Sequence, residues 1–149
     1  MKVIGIICEY NPFHNGHKYH ILEAKKLDPK AIIILVINGY FLERGEVSIL
    51  SKEAKTKIAL DNGVDLVISL PFFYGSQSAD NFAYGAIKIL NEFKINKLVF
   101  GSESNDIKKL KKLTKEEKKL SLKIKLNLKK GFSYPKALGD SYQEELSTP

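Results

Sequence analysis

The chain has a single cysteine and no tryptophan, and it lacks any long apolar run. Cys8 is the only cysteine among 149 residues, which excludes an internal disulfide framework and fits a reducing compartment. No apolar stretch approaches the roughly 18 to 20 residues that a membrane-spanning helix needs, and the N-terminus turns polar too early for a secretory signal. We therefore expect a cytoplasmic globular protein without a membrane partner, in which Cys8 is a buried strand residue rather than a catalytic thiol.

Two familiar phosphate-binding motifs are also missing. The sequence contains neither G-x-x-x-x-G-K-[ST] nor G-x-G-x-x-G. The first motif cradles phosphates in P-loop enzymes, and the second marks dinucleotide-binding folds. A nucleotide site in this chain would therefore have to be built from other residues.

The positive charge is concentrated in one segment. The formal net charge of the chain is +7. Residues 106–130 hold 11 lysines against three acidic residues, whereas the rest of the chain holds 13 basic and 14 acidic residues. Such a concentration is typical of a face that binds a polyanion. A solvated helical face is the alternative, because lysine runs without interleaved aromatic residues are also common there.

Short apolar runs alternate with helical patterns along the first two thirds of the chain. The runs are continuous and β-branched, as in strands covered on both faces, and they span 2–8, 31–37, 64–70 and 97–101. Helices are predicted over 17–27, over 51–61 with Ser51 as N-cap and Asn62-Gly63 as its end, and over 79–93. This alternation predicts an α/β fold, a Rossmann-like doubly wound parallel sheet. After Gly101 we expect a helical C-terminal extension, broken near Gly131 and Pro135.

All the histidines of the chain lie where the first predicted strand ends. They are His14, His17 and His20, within CEYNPFHNGHKYH, and open parallel sheets bind ligands beyond the carboxyl ends of their strands. A helix N-terminus at this point offers free N–H groups and a partial positive charge. His14 and His17 are three residues apart, so both rings can lie on one side of its first turn. Two imidazoles with backbone donors suit a polyphosphate, and Gly16 lets the backbone approach a ligand or the sheet closely.

Two other interpretations of this turn remain open. His-x-x-His on one helix face could hold a metal ion, but a zinc site needs further ligands and Cys8 lies inside the strand. The histidines could also be ordinary polar loop residues that cap a helix. His20 is the weakest candidate of the three, because one turn into the helix it could merely pack.

Once this His-x-Gly-His turn follows the first strand of such a sheet, the chain resembles the HIGH-motif nucleotidyltransferases. Within that superfamily, GIICEYNPFHNGHKYHILEAKK resembles the N-terminal signature of the tRNA(Met) cytidine acetate ligases. The resemblance continues through NGYFLERGE, LPFFYGSQSADNFAYGAIKIL and LVFGSES. It covers about residues 3–104, with several motifs in the same order and spacing.

The resemblance implies a reaction and a set of site residues. Such enzymes use ATP and acetate to form acetyl-adenylate, and then acetylate N4 of the wobble cytidine of elongator tRNA(Met). Carried over to this sequence, ATP would be bound by Ile7, Cys8, Glu9, Tyr10, Asn11, Pro12, Phe13, His14, Asn15, Gly16, His17, Lys18, Tyr19 and His20, with Gly101 on the adenosine side. His14 and His17 would contact the phosphates and stabilise the departing pyrophosphate by positioning and electrostatics. ATP chemistry also implies Mg²⁺, although no dedicated carboxylate cage and no metal-ligand residues are recognisable.

Arg44, in LERGE, is the third candidate catalytic residue. Its guanidinium can bind a phosphate or a carboxylate bidentately, and a surface ion pair with Glu43 or Glu46 is the alternative. Asp80 could orient a ligand, or it could be an acidic residue in the first turn of a helix. The aromatic residues 72–74 could line a pocket for the acyl group or a base, but aromatic residues after a strand are more often part of the core.

The chain departs from the family pattern in its second loop and in its length. The loop reads INGYFLERGE where the family has Ser-Gly-Asn-Phe-x-Gln-Arg-Gly-Glu, so Asn38, Tyr40 and Glu43 differ and the acid-binding details stay open. A second nucleotide-binding segment of the Asn-Asn-Ile-Leu-Gly kind should follow EELSTP. We therefore expect a truncated chain or a shortened relative.

Two domains and three functions are compatible with these observations. We expect an ATP-binding nucleotidyltransferase domain over 1–104 and a lysine-rich helical extension over 105–149, in which Lys108–Lys130 approaches tRNA. The first function is the acetate ligase implied by the resemblance. The second is a small-molecule adenylyltransferase with a basic acceptor pocket near Arg44. The third is an ATP- or RNA-binding module without catalysis.

Overall fold

Four strands and seven helices occur in the part of the chain that the computed structural model describes, which is residues 1–102, 105–115 and 117–147. The strands are β1 (Val3–Cys8), β2 (Ile32–Asn38), β3 (Leu66–Leu70) and β4 (Lys97–Val99). The helices are α1 (Asn15–Leu27), α2 (Lys52–Asp61), α3 (Phe72–Gly75), α4 (Ala79–Glu92), α5 (Ile107–Lys115), α6 (Glu117–Lys129) and α7 (Tyr134–Ser147). Contacts divide the chain into two units, Met1–Gly101 and Ser102–Pro149.

The first unit is built on a four-stranded parallel sheet with the order β3-β2-β1-β4. Strand β1 pairs with β2 on one side and with β4 on the other, so that Ile6 lies opposite Leu35 and Val99. The chain order therefore reverses beside β1, which makes the loop after β1 the place where a ligand is expected in such a sheet. The predicted α/β class and parallel sheet are confirmed.

The continuous apolar runs arise because both faces of the sheet are covered. Along β2, Ile33, Leu35 and Ile37 join the core under α1 and α2. The intervening Ile34 and Val36 join a second core that includes Leu90 of α4 and its neighbours. Successive side chains of a strand point to opposite faces, so a strand buried on both faces needs apolar residues at every position.

Local capping sets the ends of the elements. Ser51 accepts a hydrogen bond from the N–H of Ala54 and begins α2, as predicted. Strand β3 begins two residues later than predicted, because the N–H of Val64 still bonds to the carbonyl of Ala59 at the end of α2. Helix α1 begins two residues earlier than predicted, because its N-cap is His14.

The short helix α3 was not predicted, and it changes the interpretation of the aromatic residues after β3. Phe72 and Phe73 are 66% and 65% exposed, so the prediction that these rings join the core is wrong for both. Tyr74 alone packs partly against the core under α4. Aromatic residues directly after a strand occur both in core segments and in exposed helical turns, and the sequence pattern does not distinguish the two.

The second unit is helical, as expected. Ala137 and Ser141 of α7 are fully buried, and Ser141 accepts a hydrogen bond from the Asn127 side chain of α6 at 3.4 Å. Gly131, with φ +85°, separates the two helices, whereas Pro135 lies within the first turn of α7. None of the helices in the described ranges combines the length and apolarity that crossing a bilayer requires.

Candidate active site

Two histidines close the N-terminus of α1 by accepting backbone hydrogen bonds. The N–H of Gly16 donates to Nδ1 of His14 at 3.1 Å, and the N–H of His14 donates to Nδ1 of His17 at 3.3 Å. This is a reciprocal capping box made of imidazoles. Because both Nδ1 atoms accept, each neutral ring carries its proton on Nε2. Within the described residues neither Nε2–H has a partner, so the turn presents two unpaired donors.

The ring of His17 is held against apolar and aromatic surfaces. It stacks on the His14 ring with 3.8 Å between centroids, and it lies 4.6 Å from the ring of the fully buried Tyr10. Phe13 completes the support at 5.7 Å. Burial, together with smaller contributions from the neighbouring His14 and His20 rings, lowers the pKa of His17 to about 4. At neutral pH His17 is therefore a neutral hydrogen-bond donor.

Gly16 is required by the histidine turn itself. A Cβ at this position would lie 2.9 Å from Cε1 and 3.0 Å from Nδ1 of His14. The glycine therefore makes room for the His14 ring. The sequence predicted that Gly16 lets the backbone approach a ligand or the sheet closely. In the structure the atoms that leave no room for a Cβ belong to the His14 ring.

His20 has a different environment from the other two histidines. Its Nε2 lies 3.1 Å from the carbonyl oxygen of Val99 in β4, and its Nδ1 lies 3.8 Å from Sγ of Cys8 in β1. The ring therefore ties α1 to both strands at the point where the chain order reverses. This placement agrees with its standing as the weakest of the three phosphate candidates.

Cys8 lies within β1 but is half-buried rather than buried, which corrects the prediction in part. Burial raises the pKa of its thiol to about 11, partly offset by a hydrogen bond from the backbone of Glu9. A thiol with this pKa is protonated at neutral pH, and the thiolate is the nucleophilic form. The geometry agrees with a side chain that takes no catalytic part.

A small hairpin after β2 carries Arg44. Phe41 and Val47 form an antiparallel bridge, the N–H of Leu42 donates to the carbonyl of Glu46 at 2.8 Å, and Gly45 adopts φ +80° at the tip. A positive φ is readily adopted by glycine alone, which explains the Arg-Gly pair. Arg44 is exposed beside this glycine.

Side chains from the loop after β1 clamp this hairpin at both ends. The Glu9 carboxylate accepts the N–H of Glu43 at 2.7 Å, and it also accepts the Asn38 side-chain amide. Asn11 Oδ1 accepts the N–H of Ile49 at 2.7 Å. Glu9 and Asn11 were predicted as ATP-binding residues, and the structure shows their side chains engaged in positioning the hairpin. Sequence reasoning missed this role, because no periodic pattern links residues more than 30 positions apart.

Arg44 makes no salt bridge with Glu43, Glu46 or any other acidic residue in the described part of the chain. The ion-pair alternative is therefore not seen in the structure. The Glu43 backbone is fixed by Glu9, and the hairpin bonds hold the Glu46 backbone. The Arg44 guanidinium remains available to an anionic ligand.

A buried lysine lies beneath the end of β2. Lys55 of α2 is fully buried, and its Nζ donates to the carbonyl of Gly39 at 2.5 Å. Burial lowers the pKa of Lys55, and the nearby Glu9 charge opposes that shift. Asn38 is also fully buried, and its Oδ1 has no hydrogen-bond partner among the described residues. A lysine within a helical pattern is normally solvated, so no local pattern indicates this cluster.

The other predicted site residues take varied positions. Ile7 packs partly against the core under α4, whereas Pro12, Asn15, Lys18 and Tyr19 are exposed. A Cβ at Gly101, just beyond β4, would meet nothing within 4 Å. Asp80 is exposed in the first turn of α4, which begins at the N-cap Ser78; this placement fits its helix-terminal interpretation, and its role toward a ligand remains a prediction.

The fold and this turn define a class of protein. A parallel sheet that reverses order beside its first strand, followed there by an imidazole-capped helix, is a nucleotide-binding α/β domain. The family model described as HIGH Nucleotidyl Transferase matches residues 1–149. The chain belongs to that family, as the HNGH turn predicted.

Several characterised relatives are similar over nearly the whole chain. The tRNA(Met) cytidine acetate ligase of Caldicellulosiruptor saccharolyticus is 50% identical over 141 residues, which are 92% of this chain and 35% of the relative. The enzyme of that name from Bacillus subtilis is 48% identical over 152 aligned residues, with shares of 99% and 37%. A crystal structure of Thermotoga maritima TmcAL bound with alpha-thio ATP superposes with a TM-score of 0.84 at 39% identity, covering 99% of this chain and 37% of that one. The chain thus spans little more than a third of the length of these relatives.

Proposed function

We propose that this protein is part of an ATP-dependent ligase that activates acetate as acetyl-adenylate and acetylates N4 of the wobble cytidine of elongator tRNA(Met). The observation that carries the proposal is the pair of unpaired Nε2–H donors of His14 and His17 at the N-terminus of α1. Support comes from the names of the relatives and from the alpha-thio ATP bound by the Thermotoga protein. The specific acid and the specific tRNA rest on that similarity.

The turn would act where charge builds up on ATP. An acetate oxygen attacks the α-phosphorus, and the bond from that phosphorus to the pyrophosphate oxygen breaks. The Nε2–H donors of His14 and His17, together with the helix N-terminus, would stabilise the charge on the departing oxygens. Because both donors are already fixed by backbone hydrogen bonds, little reorganisation is needed.

The second step transfers the acetyl group to tRNA. The N4 amino group of the cytosine attacks the carbonyl carbon of acetyl-adenylate, the bond to the AMP oxygen breaks, and N4 releases a proton.

Arg44 at the hairpin tip would bind a phosphate or the acetate carboxylate, since its guanidinium can bind either bidentately. Gly101, beyond the end of β4, would lie on the adenosine side.

Mg²⁺ would enter with the phosphates of ATP. The described residues show no group of three or more His, Cys, Asp or Glu side chains that could hold a metal ion. Mg²⁺ usually keeps several waters and binds through substrate phosphates. We therefore propose an ion carried by the nucleotide, which supplies charge neutralisation on the phosphates.

Acetate-dependent exchange of pyrophosphate into ATP tests the activation step. We expect the 149-residue chain to incorporate labelled pyrophosphate into ATP when acetate and Mg²⁺ are present, and to show background incorporation without acetate. The reason is that acyl-adenylate formation is reversible and needs no tRNA. ATP binding without any acetate-dependent exchange would contradict catalysis by this chain and would favour a nucleotide-binding module.

The lysine-rich segment Lys108–Lys130 would approach the tRNA. In α5 the side chains of Lys108, Lys109, Lys111, Lys112 and Lys115 are exposed. Each phosphate neutralised by a lysine releases counterions, which makes RNA binding depend on salt. The exposure of these side chains is compatible with a tRNA-binding face and equally with a solvated helical face, so a binding measurement has to distinguish the two.

Replacing four lysines of this segment by glutamine should weaken tRNA binding and flatten its salt dependence. We expect the slope of log affinity against log salt to fall by up to about 3 when Lys111, Lys112, Lys118 and Lys119 are changed. Filter binding between about 50 and 200 mM salt measures it. A matched control changes Lys26, Lys30, Lys57 and Lys94 of the first unit. Equal slopes for the two variants would contradict tRNA binding by the segment and would identify it as a solvated helical face.

A further inference from the structure

A second pocket lies at the carboxyl ends of β2 and β3, one strand away from the histidine turn. Its volume is about 400 Å³, and its walls include Tyr40, Phe41, Lys52, Ser69 and Phe72. We call it the aromatic pocket. Ligand pockets commonly measure about 300 to 1,000 Å³, so a small planar molecule fits, whereas an acetate ion would leave most of the volume empty.

Three aromatic rings of this pocket are exposed. Tyr40, Phe41 and Phe72 are 51%, 42% and 66% exposed. Phe41 and Phe72 meet edge to face, with 5.3 Å between centroids. These rings come from the hairpin segment after β2 and from α3 after β3, so the fold gathers them without burying them. Exposed aromatic faces gathered at one rim are the platforms on which nucleobases stack.

The pocket also has unpaired hydrogen-bond donors. Lys52 Nζ lies 5.8 Å from the centre of the Tyr40 ring, and it forms no salt bridge within the described residues. The Ser69 hydroxyl is exposed and likewise has no hydrogen-bond partner there. Tyr40 itself is fixed, because its hydroxyl donates to Glu53 at 3.0 Å. A cation and a hydroxyl beside exposed aromatic rings match the O2 and N3 acceptors of a cytosine.

The aromatic pocket is linked to the phosphate site through the sheet. Neighbouring strands lie about 5 Å apart, and the Asn38 amide at the end of β2 donates to Glu9 just beyond β1. Glu9 in turn holds the hairpin that contains Tyr40 and Phe41. A base in this pocket would therefore lie next to the strand whose loop holds the ATP phosphates.

We infer that the aromatic pocket receives the acceptor cytosine, unstacked from its RNA loop, against the exposed surfaces of Phe41 and Phe72. This inference rests on the proposed function and names its base-binding site. Enzymes that act on a base take it out of the stack and read its polar edge while aromatic side chains cover its faces. Lys52 and Ser69 donate to O2 and N3, which leaves the N4 amino group free to attack the acyl carbon.

The test compares two RNA stem-loops that differ only in the base at the wobble position, cytosine or uracil. The 149-residue chain binds the fluorescently labelled loops in an anisotropy titration, with Phe41→Ala, Phe72→Ala and Phe73→Ala measured beside the parent. Phe73 is the matched control, because it is equally exposed and adjacent in sequence but packs on Tyr74. Circular dichroism verifies that each variant is folded.

We expect the parent to prefer the cytosine loop. Phe41→Ala and Phe72→Ala should each weaken binding of that loop by about 10-fold, which corresponds to about 1.4 kcal/mol, and should remove the preference, because the base loses an aromatic surface on which it stacks. Phe73→Ala should change affinity by less than about 2-fold. Equal effects of all three variants, equal binding of the two loops, or no loop binding by the parent would overturn the inference. Pyrophosphate exchange measured on the parent separates this failure from that of the proposed function, because exchange needs no RNA.

Discussion

We expect Mg·ATP to bind about 10-fold more weakly to His14→Ala and to His17→Ala than to the parent chain in a calorimetric titration. Nδ1 of each side chain accepts a backbone N–H, so each neutral ring carries an Nε2–H donor, and neither donor has a partner within the described residues. A hydrogen bond to a charged group contributes about 1.5–3 kcal/mol, and a 10-fold loss corresponds to about 1.4 kcal/mol. The double variant should lose less than the product of the two, since the stacked rings share one anion.

Two further variants separate phosphate binding from helix capping. Gly16→Ala adds a Cβ that would lie 2.9 Å from the His14 ring, so it should displace the ring and weaken ATP binding, while alanine is a better helix former than glycine. His20→Gln should leave ATP affinity within about 2-fold, because the His20 ring contacts Val99 and Cys8. A loss for His20→Gln with none for His14→Ala would overturn the assignment of the phosphate site to this turn.

Tyr10→Ala should lower the free energy of unfolding of the first unit by about 3–5 kcal/mol. Tyr10 is fully buried in the core under α1 and α2, and truncating a buried aromatic residue to alanine typically costs this amount through lost burial and a cavity. Urea unfolding followed by far-UV circular dichroism measures the change. Tyr19→Ala makes the same deletion on the exposed side of α1, where Tyr19 is 63% exposed, and should stay within about 0.5 kcal/mol.

The same variant should also change the titration of His17. Burial is the main cause that lowers the pKa of His17 to about 4, and the Tyr10 ring lies 4.6 Å from it. In Tyr10→Ala we expect that pKa to rise toward the ordinary value of 6.5, whereas Tyr10→Phe keeps the ring and should keep the low value. Since the chain has only three histidines, NMR titration resolves them. An unchanged pKa would mean that burial of His17 does not depend on Tyr10.

Much of the fold follows from short-range patterns. The β-branched runs predicted four parallel strands because a strand covered on both faces needs apolar residues throughout, and β2 shows this with Ile33 to Ile37. Ser51 and Gly63 marked the ends of α2 because capping and positive φ are local properties. The element ends differed where a hydrogen bond from a neighbouring element intervened, as at Val64.

The candidate site also contains features that local spacing predicts and features that depend on residues distant in sequence. The spacing of His14 and His17 placed both rings on one helix turn, and the structure stacks them at 3.8 Å. The roles of Glu9 and Asn11 as the hairpin clamp could not be predicted, because their partners are 34 and 38 positions away in sequence. The burial of Lys55 was equally invisible, because a lysine on a helix is normally solvated.

By itself, the sequence determined the strand–helix alternation, the imidazole turn after the first strand and the family to which the chain belongs. The alternation and the turn rest on interactions within a few residues, which spacing reports, whereas the family was indicated by the resemblance of several motifs. The tertiary structure alone decided that Glu9 and Asn11 hold the hairpin, that Lys55 is buried, and that Phe41 and Phe72 meet in one exposed pocket. Those properties depend on side chains brought together from different strands by the order β3-β2-β1-β4, and no local pattern contains that order.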